Sequence, residues 1–172
     1  ILLGNVEEVS ATLRARGLQS SSFTIIDPAD YDQFDKMVTA FVERRGGKVS
    51  EAQARDILLD VNYFGTMLVY MGLADGLVSG AIHSTADTVR PALQIIKTKP
   101  GVSRTSGAFL MVRAYGKEKY IFSDCAINIE PDAKALSEIA IDSAETAQLF
   151  DIEPRVAMLS FSTNGSGASP DV

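Results

Sequence analysis

"NYFGTMLVYMGLADGLVSGAIHSTADTVRPALQIIKT", residues 62–98, decides the fold class. It opens with apolar residues at helical spacing, passes through the short apolar run "DGLVSG" (75–80), then a small polar loop, and closes in an amphipathic helical pattern. Helix, buried strand, loop and helix in that order predict an α/β fold with a largely parallel sheet. In such sheets ligands bind at the carboxyl ends of the strands. The loop at that position, "SGAIHSTADTVRP" (79–91), holds the single histidine of the chain, hydroxyl residues, Asp87 and Arg90. A helix predicted from Asp87 or Thr88, with Pro91 in its first turn, would direct free backbone N–H groups into the loop. Ser84, Thr85 and Thr88 add hydroxyl donors and Arg90 a fixed positive charge. One reading is a cradle for phosphate or carboxylate. The other is that Asp87 caps the helix and Arg90 pairs with a surface acid. The residues leave both open.

Upstream, the alternation continues. Residues 1–4 read as a short strand, 5–16 as a helix stopped by Gly17, "SFTIID" (22–27) as a strand, and 30–44 as a helix stopped by Gly46-Gly47. Ser50 is a good N-cap for a helix running to about Leu73, with a kink expected near Gly65. "FVERRGGK" (41–48) places Arg44, Arg45 and Lys48 at a helix C-terminus, where the helix dipole favours cations without any ligand.

Downstream the pattern changes near residue 104. "SGAFLMVRA" (106–114) and "KYIFSDCAI" (119–127), separated by "YGKE", predict a hairpin that suggests a second subdomain. A helix is expected from about Asp132 to Phe150, and "RVAMLSFS" (155–162) as a strand. The small hydroxyls and glycines of "SFSTNGSG" (160–167) suit a second anion-binding loop, and equally a plain connecting loop. Asp124, at a strand end, suits either a cleft or a turn cap.

Composition narrows the function. The 172 residues suffice for one domain, or for one domain plus part of another. A net charge of −6 argues against nucleic acid as the main partner but allows a small anion at a local basic cluster. No apolar run is long enough to predict a membrane span. One cysteine, Cys125, rules out a disulfide within the chain, and a reducing compartment fits. One histidine, His83, and one cysteine supply no metal-ligand cluster, so no metal site is expected. The apolar start without Met and the Gly/Ser-rich end suggest a fragment of a longer protein.

The segment 62–98, together with "AFVERRGGK" (40–48), "FSDCAINIEPDAKALSEIAIDSAETA" (122–147) and "DIEPRVAMLSFSTNGSG" (151–167), resembles the phosphate acetyltransferase (phosphotransacetylase) family over nearly the whole chain. The resemblance implies acetyl transfer between CoA and inorganic phosphate, with CoA, acetyl phosphate and phosphate as partners and no cofactor beyond CoA as substrate. It implies a cytoplasmic homodimer with a three-layer α/β/α fold like that of isocitrate/isopropylmalate dehydrogenases. Residues 1–103 would form part of the first domain, and 104–172 the start of an inserted second one. Arg45 and Arg90 match arginines linked to CoA and substrate binding. Ser84, Thr85, Ser162, Thr163, Gly165 and Ser166 match segments lining the cleft. Where the family usually has Lys, this chain has Asn164, which removes a positive charge. The family's Ser-Arg-Gly segment, with an acid a few positions on, does not occur, so no catalytic residue is assigned. Related segments also occur in phosphate butyryltransferases and in the acetyl-CoA-sensing domain of some malic enzymes. A non-catalytic folded piece is the third reading.

Overall fold

The computed structural model describes residues 1–159 and 166. It divides into two compact units, Ile1–Lys97 and Thr98–Val172.

The first unit opens with a parallel pair. β1 (Leu2–Leu3) and β2 (Ile25–Ile26) align Leu2 with Ile25 and Leu3 with Ile26. α1 (Val6–Ala15) connects them, capped by the Asn5 side chain, which accepts from the amides of Glu7 and Glu8. α2 (Phe34–Arg45) ends at Gly46, whose φ of 59° is the left-handed conformation that glycine adopts without a Cβ penalty. α3 (Glu51–Ile57) starts in a capping box, with Ser50 and Gln53 bonding reciprocally. α4 (Val61–Tyr70) and α5 (Thr85–Ile95) complete the unit. The core joins Met37, Val38 and Phe41 of α2 to Ala54 and Leu58, to Phe64, Met67 and Leu68 of α4, and to Ile95 of α5. Burying Phe41 and Phe64 contributes roughly 2–3 kcal/mol each relative to leaving them in water.

Three expectations for this unit need correction. The expected long helix 50–73 is two helices. The break falls at Leu58–Asp60, where the Asp60 carboxylate accepts from the amides of Asn62 and Tyr63 and starts α4 afresh. Gly65 lies inside α4 and marks close packing, not a kink: a Cβ there would stand 2.8 Å from Leu77 Cδ1 and 3.0 Å from Leu3 Cδ1. Residues 75–80 form no strand. A strand needs a ladder partner, and among the described residues this run has none; Val78 is wholly exposed. A side-chain bond from Ser79 Oγ to Asn62 Oδ1 ties the run to α4.

The second unit is built on an antiparallel hairpin. β3 (Ala108–Arg113) and β4 (Glu118–Ser123) pair from Ala108–Ser123 to Arg113–Glu118. Ala114, Tyr115 and Gly116 at the turn all have positive φ, at 50°, 55° and 89°. α6 (Ala133–Leu149) is capped by Asp132, which accepts from the Ala135 amide at 2.7 Å, and it buries Ala135, Ile139 and Ala147. Residues 155–159 of the expected strand 155–162 are irregular, with no ladder partner among the described residues. Residues 160–162 lie outside them. The chain is thus mixed α/β, with one parallel and one antiparallel pair of strands among the described residues.

Candidate functional site

The opening loop starts a helix earlier than its sequence suggests. Ser84, not Asp87, is the N-cap of α5: its Oγ accepts from the Asp87 amide at 3.1 Å and donates to Asp87 Oδ2 at 2.7 Å. Thr85 is therefore the first helical residue, and it is exposed. The earlier start moves Pro91 out of the first turn into the body of α5, where it is buried. Asp87 also pairs with Arg90 at 3.6 Å, a contact between exposed side chains one turn apart. Such surface pairs contribute little to stability. At this end of α5 the cap and surface pair are both present.

The stronger convergence lies one turn further along. Arg90 and Gln94 are four residues apart on α5 and so share a face of the helix. Tyr63, from the first turn of α4, donates its hydroxyl to Gln94 Oε1 at 3.1 Å. Arg45, the last residue of α2, reaches the Gln94 carbonyl with Nη1 at 3.5 Å. Its Nε is buried without a hydrogen-bond partner. Burial pushes the Tyr63 hydroxyl above the ordinary tyrosine range, and the positive charges of Arg90 and Arg45 oppose that rise. Three helices thus bring Arg45, Tyr63 and Gln94 together, with Arg90 on the same face of α5 as Gln94. That set of donors suits an oxyanion, which Arg binds through a planar fork of N–H groups.

Arg44 has a different task from its neighbour. Its Nε and Nη2 donate to the carbonyls of Ile95 and Ile96, and its guanidinium lies 5.0 Å from the centre of the Tyr70 ring. It satisfies the orphan carbonyls at the end of α5. The dipole reading of "ERR" therefore describes Arg44 only in part, because its dipole partner is the end of α5, a different helix.

Two largely apolar clefts flank residues 77–79. One, of about 520 Å³, runs between α4 and α5 and includes Thr66, Thr88 and Ile96 in its lining. The other, of about 510 Å³, includes Leu3, Asn62 and Leu68. Asn62 is 1% exposed, and its Nδ2 has no hydrogen-bond partner. Neither cleft is lined by Arg45, Arg90, Tyr63 or Gln94.

In the second unit Asp124 is the hub of a turn. It accepts from the amides of Gly107, Ala126, Ile127 and Asn128, and from the Asn128 side chain. Burial raises its pKa, but the backbone donors of Ala126 and Ile127 and both donors of Asn128 outweigh that and bring it to about 2. Of its two sequence readings, the turn cap is the one present. Cys125 is half-buried beside it. Of the expected second anion loop, Ser162, Thr163 and Gly165 lie outside the described residues, and Ser166 is exposed.

Comparison with known proteins decides the family. The model of the family described as phosphate acetyl/butaryl transferase matches residues 1–172. The chain belongs to that family. It is 63% identical over 171 residues to the phosphate acetyltransferase of Bacillus subtilis, covering 99% of this chain and 52% of that protein. With the Staphylococcus epidermidis phosphate acetyltransferase it shares 60% identity over 172 residues, again covering 52% of the relative. Among solved structures, a phosphotransacetylase from Streptococcus pyogenes superposes with a TM-score of 0.86 at 63% identity, over 99% of this chain and 52% of that one. The EutD phosphotransacetylase from Staphylococcus aureus gives a TM-score of 0.85 at 58% identity, over 100% of this chain and 52% of that one. The chain therefore spans about half the length of the family members it matches.

The sequence alone does not mark Tyr63 and Gln94 as site residues. The one signal, and for Gln94 alone, is its four-residue spacing from Arg90 on a predicted helix.

Proposed function

We propose that the polypeptide carrying this chain transfers an acetyl group between CoA and inorganic phosphate. The observation that supports the proposal is that Arg45 reaches the Gln94 carbonyl while Arg90 shares the Gln94 face of α5, in a chain of this family. CoA and acetyl phosphate are both phosphorylated, and the two guanidiniums supply charge for binding them. In the reaction the CoA thiol loses its proton to a base, and the thiolate sulfur attacks the acetyl carbonyl. The carbon–sulfur bond forms, the bond from carbon to the phosphate oxygen breaks, and phosphate leaves. Negative charge builds on the carbonyl oxygen and on the departing phosphate, where fixed positive groups lower the barrier. In this proposal Arg45 and Arg90 bind substrate, with Ser84 and Thr85 beside them in the first unit. The base is assigned to no residue of this chain.

The whole polypeptide is proposed as a cytoplasmic homodimer. Its first domain would take the three-layer α/β/α form of the isocitrate/isopropylmalate dehydrogenases and include residues 1–103. Its second, inserted domain would begin at 104 with the hairpin.

CoA-dependent release of phosphate from acetyl phosphate tests the reading, measured on this chain and on the whole gene product. Turnover by residues 1–172 alone would put every catalytic group within them. Turnover only by the whole product would leave this chain the binding half. Absence of turnover in both would sink the proposal. The family description also names butyryl transfer, and butyryl phosphate run beside acetyl phosphate decides the acyl class.

A further inference from the structure

Gln94 is held in an unusual way for a half-exposed glutamine. Its side-chain oxygen is occupied by the Tyr63 hydroxyl at 3.1 Å, and its main-chain oxygen accepts from Arg45 at 3.5 Å. The first bond holds Oε1 on the Tyr63 hydroxyl. It turns the Nε2 hydrogens away from Tyr63, and among the described residues Nε2 donates no hydrogen bond. Tyr63 is fixed in turn, with its ring edge-on to Phe41 at 6.1 Å between α2 and α4. Arg90 lies one turn before Gln94 on the same helix face. An amide anchored through its oxygen therefore stands on the face of α5 that carries Arg90, and Arg45 reaches the same residue through its carbonyl. The negative groups acting on the same place are Asp60, engaged in capping α4, and Asp87, paired with Arg90.

We infer that Gln94 is a further substrate-binding residue, whose Nε2 completes with Arg45 and Arg90 a three-donor seat for a phosphoryl oxygen, with Tyr63 as its positioning residue. The inference rests on the proposed acetyl transfer. The phosphoryl group belongs either to CoA or to the acyl phosphate.

Gln94→Glu separates binding from scaffolding. The glutamate keeps an oxygen to accept from Tyr63 and keeps the side-chain length, but it replaces the donor by negative charge. In the whole gene product the expected result is a KM raised ~10-fold or more for the seated substrate, since a hydrogen bond to a charged group is lost. The kcat and melting temperature should stay close to wild type. A raised KM for CoA with an unchanged one for acetyl phosphate assigns the seat to CoA. If dephospho-CoA is then insensitive to the change, the 3′-phosphate is the group held. The reverse pattern assigns the seat to the acyl phosphate. Unchanged KM for both overturns the inference while the acetyl-transfer reading stands. If Gln94→Glu melts well below wild type, Gln94→Met, which removes the donor without adding charge, takes its place under the same criteria. If wild type shows no turnover, the acetyl-transfer reading fails, and the seat is read by thermal shift with CoA and with inorganic phosphate. A wild-type shift that Gln94→Glu abolishes supports the seat, and no shift, or one that Gln94→Glu retains, overturns it.

Discussion

Arg44 Nε donates to the Ile95 carbonyl across 51 residues of sequence, so the end of α2 closes the end of α5. A second bond to the Ile96 carbonyl at 2.9 Å and the Tyr70 ring 5.0 Å away hold the guanidinium from two more sides. Lysine has the charge but not the fork. Arg44→Lys should therefore destabilise the first unit by about 1–2 kcal/mol and Arg44→Ala by about 2–3 kcal/mol, as read by urea denaturation. Equal stability of both variants and wild type would remove this clamp.

Gly65 sets two effects against each other. Alanine would gain about 1 kcal/mol of helix propensity. Its Cβ would press on Leu77 and Leu3, but the contacted atoms are ends of flexible side chains, and Leu77 is 39% exposed and free to swing outward. Gly65→Ala should leave stability within about 1 kcal/mol of wild type. Gly65→Ile should cost about 2 kcal/mol or more, because a branched side chain displaces both leucines. Thermal melts of the pair check the contrast.

Ser84 caps α5 through both of its hydrogen-bonding capacities. Ser84→Ala should cost about 1 kcal/mol and Ser84→Gly a few tenths, the ordinary ranking for an N-cap. Ser84→Asp should fall below wild type, because an aspartate caps the Asp87 amide but cannot donate to the Asp87 carboxylate and repels it. A flat series across the three variants would mean that the cap is not what starts the helix.

Asp124 predicts a pH dependence with a definite sign. Its folded pKa, about 2, lies below its ordinary value of 3.8. The ionised form is therefore favoured by folding, and its stabilisation is fully present above pH 4. It should fade as the pH falls from about 4 towards 2. Asp124→Asn should flatten the loss of stability in that window. A variant as acid-sensitive as wild type would show that other carboxylates govern it.

The hairpin turn holds Tyr115 in the left-handed region, at a φ of 55°, with its ring wholly exposed. That backbone costs an L-residue roughly 1–2 kcal/mol, and asparagine tolerates it better. Tyr115→Asn should raise the stability of the second unit by a few tenths to about 1 kcal/mol. A lower melting temperature would mean that the tyrosine ring contributes contacts beyond the turn.

Helices and hairpin were legible because their determinants are local. Asn5, Ser50, Asp132 and Gly46 stand beside the elements that they begin or end. The cap at Asp60 is local as well, but the sequence reading places the break at Gly65, since a glycine's packing partners cannot be read from its neighbours. The run 75–80 looks like a strand in composition, yet a strand is completed by its partner, and that partner is not encoded in the run. Pro91 misled by suggesting a first turn that Ser84 had already begun. At the candidate site, family resemblance singles out Arg45 and Arg90. It does not single out Tyr63 and Gln94, whose bond joins α4 to α5 across 31 residues. Arg44 and Arg45 are adjacent in sequence, and only the packing of α5 gives one the end of a helix and the other a place beside Gln94.

The ribbon of β3 and β4 carries a separate consequence. All six β3 residues and most of β4 are exposed, including Phe109, Val112 and Phe122 at 55–56%. Cross-strand bonds hold the ribbon, with little burial behind them, and a two-stranded ribbon is marginal by itself. In a deuterium-exchange experiment its amides should open locally, long before those of α4, so the molecule keeps two clocks. The first is set by the buried phenylalanines of the helical core, and the second by the fraying of a single turn.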